Sequence, residues 1–160
     1  MTDAAQTSQL EDILLPALLR HARTTYGAAM RQALAASGCD DIPGNGMYVL
    51  GALAAGDYPV ALIIRDLRIS KQAAGQLIDA LVLRGYVARE NDPADRRRIT
   101  LSLTERGRAA AAIQAAVRER IDTELAARVG EDNVRAARKT LAALIEMGLA
   151  SGQPAGVDAD

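Results

Sequence analysis

The chain of 160 residues and 16.9 kDa has room for one domain with a real core, or for a smaller domain with dimerising extensions. Its single cysteine, Cys39, excludes an intramolecular disulfide, and one histidine beside one cysteine leaves no plausible zinc set, so neither a metal nor any other cofactor is expected. The formal net charge of -1 hides an uneven distribution: Val60 to Arg108 holds ten Lys or Arg and six Asp or Glu, a balance of +4, while the remainder holds nine and fourteen, a balance of -5.

Residues 1–8 are small and polar, and the tail 151–160, SGQPAGVDAD, mixes Gly, Pro and Asp without periodicity, so both ends are expected to be disordered. The start MTDAAQTSQLED lacks the basic and apolar regions of a signal peptide. No apolar run approaches the roughly 18 to 20 residues that span a bilayer, so a soluble, cytoplasmic protein with no membrane partner is expected. From about Leu10 to Ala36 the pattern is helical, with Ile13, Leu14, Ala17, Leu18, His21, Ala22 and Ala29 near one stripe. Pro16 must kink that helix or begin it afresh. Gly38 ends it, and in DDIPGNG Pro43 can open a second helix through Met47, Leu50 and Leu53.

After AAGDYP a short helix is expected at about Val60 to Leu67, followed by RISKQAAGQLIDALVLRGYVARE. Ser70 is a good N-cap, because its hydroxyl can accept from the free amides of the first turn. Ala74, Leu77, Ile78, Leu81 and Val82 mark the buried face, and Lys71, Gln72, Gly75, Gln76 and Asp79 the opposite one. Gly85 stops this helix. YVARE and RITLSL then read as strands around the turn NDPADR, with Ile99, Leu101 and Leu103 inward and Thr100 and Ser102 outward. Thr104 caps a long alanine-rich helix that reaches roughly to Val129, with Gly130 as punctuation. A last helix, about Glu131 to Leu149, has Val134, Leu141, Leu144 and Ile145 as its apolar face.

This order predicts a mainly α fold with a small β-hairpin wing: a winged helix-turn-helix over residues 41–104, with N- and C-terminal dimerisation helices at 9–40 and 105–150. The segment DPADRRRITLSLTERG resembles the signature of the MarR family of bacterial transcriptional regulators, in which an Asp/Arg cluster at a wing tip precedes an alternating strand and an L-T-x-x-G helix start. The similarity continues upstream through LRISKQAAGQLIDALVLRGYVAR. One departure is Arg68 in the turn before the recognition helix, where the family often has glycine; an arginine there either adopts a strained turn conformation or reaches a phosphate.

Double-stranded DNA is the partner these residues point to. Gln72 and Gln76 stand on one helix face and can each pair bidentately with adenine, Gly75 between them allows close approach, and Ser70 and Lys71 suit phosphates. Each such feature alone also describes a solvated polar face. The resemblance implies that Arg97 enters the minor groove with Asp95 orienting it, and Arg96 and Arg98 divide between phosphate contact and pairing with Asp92 or Glu90.

The resemblance further implies an intertwined homodimer that reads a pseudo-palindrome and is relieved, as a repressor, by a small aromatic or amphipathic effector. Candidates for an effector pocket are Arg20, His21, Tyr26, Met30, Met47 and Tyr48, each of which also reads as an ordinary core or interface residue. Cys39 raises a cysteine-based redox response as an alternative. Its place after the first helix, beside Asp40 and Asp41, favours an ordinary loop cysteine instead. A protein-interaction module is a further alternative. An enzyme is not expected, because the chain lacks a Ser/His/Asp or Cys/His spacing and a glycine-rich phosphate loop.

Overall fold

The computed structural model describes residue 10 and residues 12–56, 65, 67, 69–91 and 99–150. Helix α1 runs Leu15–Ala36, with Pro16 in its first turn. That proline therefore begins a helix rather than kinking one, at a position where a missing N–H has no intrahelical partner to lose. At the other end Gly38 adopts φ +72°, and the amides of Gly38 and Cys39 donate to the carbonyls of Ala35 at 3.1 Å and Leu34 at 2.9 Å. This pair of bonds is the Schellman ending. It turns the chain inward, so that Cys39 is buried in the core.

Helix α2, Gly46–Ala54, starts three residues after Pro43, whose carbonyl accepts from the Gly46 amide at 2.7 Å. It buries Val49 and Leu50 completely. Leu67 is also a core residue. The other residues of the expected short helix, apart from Arg65, and Arg68 after it lie outside the described residues.

Helix α3, Lys71–Leu83, ends as α1 does. Gly85 sits at φ +72°, and the amides of Gly85 and Tyr86 donate to Val82 and Leu81, both at 2.9 Å. Tyr86 is thereby swung into the core with no exposed surface. The chain then pairs β1, Val87–Asn91, antiparallel with β2, Ile99–Leu103, in a register that sets Val87 opposite Leu103 and Asn91 opposite Ile99. Alternation along β2 points Leu101 and Leu103 at the core and leaves Thr100 exposed.

Helix α4, Glu105–Val129, is the spine against which α1 and α2 pack. Gly107, Ala110, Ala111, Gln114 and Val117 form its buried stripe, and alanine there lets the helices approach closely. Gly130, at φ +83°, separates α4 from α5, Glu131–Ala150. The apolar residues of α5 keep the expected helical spacing, yet Leu141, Leu144 and Ile145 remain 38%, 44% and 50% exposed. No helix among the described residues is long and apolar enough to cross a membrane.

Candidate nucleic-acid interface

The polar face of α3 is positioned from both ends. Ser70 has an extended backbone and accepts from the Ala73 amide at 3.1 Å, so the helix begins where the sequence places its cap. Ala74, Ile78 and Leu81 are buried beneath it. On the opposite side Lys71, Gln72, Gly75, Gln76 and Asp79 are all exposed. A methyl group added at Gly75 would meet nothing within 4 Å, so the protein's own packing does not require glycine there.

A contact that the sequence reading missed joins α3 to the hairpin. Asp79 Oδ1 lies 2.5 Å from Arg89 Nη2, with both side chains exposed, which links the helix face to β1 and neutralises an acid that would otherwise face any phosphate. Glu90 was a candidate partner for the wing arginines; its carboxylate accepts from the Ser102 hydroxyl at 2.5 Å. Asp92, Asp95, Arg96, Arg97 and Arg98 lie outside the described residues, as do residues 1–8 and 151–160.

The base of the interface is a second feature invisible in the sequence. Thr104 Oγ1 accepts from the Gly107 amide at 3.0 Å, capping α4, and donates to the Gly85 carbonyl at 2.6 Å. A Cβ on Gly107 would sit 2.0 Å from the Tyr86 carbonyl oxygen. The Thr and Gly of the L-T-x-x-G start are thus required because the first turn of α4 lies directly against the end of α3. Between them, Arg106 stacks over the Tyr86 ring, 4.2 Å from its centroid. The Tyr86 hydroxyl donates to Asp41 Oδ1 at 2.5 Å, and Arg106 Nη2 donates to the same oxygen at 3.0 Å. Burial, and then the bond to Asp41, push the Tyr86 phenol above its ordinary value. The Tyr86 hydroxyl, with the Arg106 charge behind it, holds the Asp41 carboxyl below the usual carboxylate range.

The six candidate effector residues occupy varied surroundings. Arg20 and His21 are exposed on α1, where their carbonyls accept from the Thr24 and Thr25 hydroxyls. Tyr26 donates to Asp122 on α4, which also accepts from Arg138 of α5 at 3.1 Å. Met30 is half-buried, while Met47 and Tyr48 of α2 pack against the core. An open cavity of about 680 Å³ lies between α4 and α5, lined among others by Arg118, Asp122, Val134 and Arg138, and none of the six lines it. Gln114, which the sequence reading passed over, is 2% exposed with its Nε2 unpartnered among the described residues. A glutamine in an alanine-rich helix carries no sequence signal that it faces inward.

A capped helix with an exposed polar face, packed with α2 and backed by a β-hairpin, is the arrangement found in the winged helix-turn-helix class of DNA-binding proteins. The sequence profile of the MarR family matches residues 40–98, which hold α2, α3 and β1. No curated protein sequence matches significantly. Among solved structures, a crystal structure of MarR is 23% identical with a TM-score of 0.67, over 88% of this chain and 94% of its own. Streptococcus pneumoniae FabT in complex with DNA is 18% identical with a TM-score of 0.69, over 82% and 92%. Bordetella bronchiseptica BpsR, whose DNA binding is regulated by 6-hydroxynicotinic acid, is 23% identical with a TM-score of 0.60, over 82% and 92%. Residues 40–98 thus match the MarR family of regulators by sequence, and the chain, flanking helices included, shares the winged-helix fold of these structures.

Proposed function

We propose that the protein is a homodimeric repressor, working in the cytoplasm, that reads a pseudo-palindromic operator and is released by a small aromatic or amphipathic effector. The observation that carries the DNA reading is the exposed face of α3, where Gln72 and Gln76 stand four residues apart behind a capped, phosphate-accepting helix start at Ser70 and Lys71. Gly75 leaves room between them for a base edge. The wing residues Asp95, Arg96, Arg97 and Arg98 complete the reader, with Arg97 in the minor groove and Asp95 bracing it.

The dimer reading rests on apolar surface that one copy leaves uncovered. Leu125 and Val129 of α4, and Leu141, Leu144, Ile145 and Met147 of α5, are all more than a third exposed, a concentration that favours burial against a second copy. Residues 9–40 and 105–150 then form the dimerisation region, and 41–104 the DNA-binding domain. Regulation of BpsR by 6-hydroxynicotinic acid supports an effector here. Tyr26, Met30, Met47 and Tyr48, with Arg20 and His21, are the residues to probe.

The test is a gel shift on the DNA upstream of the protein's own gene or a neighbouring one. Gln72→Ala should relax base preference at one position by about 1 to 3 kcal/mol. Arg97→Ala should weaken binding on all sequences and flatten the salt dependence. Full affinity in the double variant would reject these roles.

A further inference from the structure

Arg106 does more than stack on a tyrosine. Its Nη1 donates to the carbonyl of Arg84 at 2.6 Å, the residue that closes α3. Its Nη2 donates to the carbonyl of Gly38 at 3.3 Å, the residue that ends α1, and to Asp41 at 3.0 Å. One guanidinium on the first turn of α4 therefore holds the C-terminal ends of both the first long helix and the recognition helix. Both ends are Schellman turns whose carbonyls carry the negative pole of their helix dipole. A planar fork with five N–H donors can reach three acceptors at once, which a lysine ammonium at the same place cannot do in the same geometry.

We infer that Arg106 is a positioning residue for DNA reading. By tying the ends of α1 and α3 to the start of α4, it fixes the angle at which the polar face of α3 is presented, without itself touching DNA. The guanidinium sits at the end of α3 opposite the Ser70 cap and the reading residues Gln72 and Gln76, so it acts on recognition only through the helix it holds. The inference rests on the DNA-reading proposal above and concerns a residue that proposal does not use.

The experiment uses the full chain and two duplexes: one selected by the wild-type protein from a random-sequence pool, and a scrambled version of it. Both affinities are measured across a range of salt concentrations for wild type, Arg106→Gln, Arg106→Lys and Asp41→Asn. In Arg106→Gln the preference for the selected over the scrambled duplex should fall roughly tenfold, with scrambled-duplex affinity and both salt slopes unchanged. Simple destabilisation would lower the active fraction equally for both duplexes and leave their ratio alone. Arg106→Lys should remain defective because charge without the fork cannot bridge the two helix ends. Asp41→Asn, which leaves both carbonyl bonds in place, should show a smaller loss in the same direction and serves as the readout if Arg106→Gln fails to fold.

An unchanged ratio in Arg106→Gln would overturn the inference, as would full rescue by lysine. A salt slope lower by about one on both duplexes would make Arg106 a phosphate contact instead. Selection of no duplex by the wild-type protein would be a failure of the DNA-reading proposal itself, distinct from any of these. In that case hydrogen exchange at the Gly38, Cys39, Gly85 and Tyr86 amides, unchanged by Arg106→Gln, would reject the clamp as well.

Discussion

Tyr86, Asp41 and Arg106 at the base of the recognition helix use the same three residue types as Tyr26, Asp122 and Arg138 among the long helices. In each, a tyrosine hydroxyl and an arginine share one aspartate. Their surroundings differ. Tyr86 is fully buried, and its arginine also takes two backbone carbonyls. Tyr26 is half-exposed, and its aspartate and arginine line the open cavity between α4 and α5. The causes of the tyrosine shifts follow the same division. Tyr86 is raised first by burial, whereas Tyr26 is raised first by its bond to Asp122. One cluster is thus completed inside a single copy and sets geometry. The other sits on a surface that the proposed dimer would cover.

The largest way to break the first cluster is steric. Gly107→Ala forces a methyl group against the Tyr86 carbonyl and should cost about 3 kcal/mol, read as a lower denaturation midpoint at fixed protein concentration. Gly75→Ala is its control. Nothing lies near that site, so the change should stabilise the helix by up to about 1 kcal/mol while weakening DNA binding if the proposed close approach is correct.

Removing single hydroxyls compares the clusters directly. Tyr86→Phe leaves the buried ring without its charged acceptor and should cost about 2 kcal/mol, against about 1 kcal/mol for the half-exposed Tyr26→Phe. Equal costs would mean that burial does not separate the two clusters.

A pH series sharpens the same contrast. Asp41 is depressed in the folded protein, so its contribution is present above the unfolded carboxyl value of about 3.9 and is lost as pH falls below it. Both tyrosines are raised, so their contributions are complete below about pH 10 and are lost as pH climbs further. Asp41→Asn should remove part of the acid-side loss in unfolding experiments between pH 5 and 3. The smallest effect belongs to the exposed Asp79 and Arg89 pair. Breaking it by Arg89→Ala should cost at most about 1 kcal/mol, and added salt should shrink that difference.

Much of the candidate interface is legible residue by residue. Ser70 and Thr104 cap the helices they were expected to cap. Gly85 ends α3, and Leu101 and Leu103 of β2 pack against the core as expected, with Thr100 exposed to solvent. These are local facts, decided by backbone conformation and by partners within a few positions. Pro16 left two outcomes open, and only the described start at Leu15 chose between them. In the sequence Asp41 stands out only as a neighbour of Cys39, Arg106 carries no local signal, and Gln114 is one polar residue among alanines.

The sequence by itself determined where α3 and α4 begin and end, which face of α3 is polar, and where basic charge concentrates, because periodicity and capping act over one or two turns. Only the tertiary structure decided what holds that face in place. Asp41, Tyr86 and Arg106 meet across separations of 45 and 65 residues, and no local pattern encodes a contact made when two helix ends are brought to the start of a third.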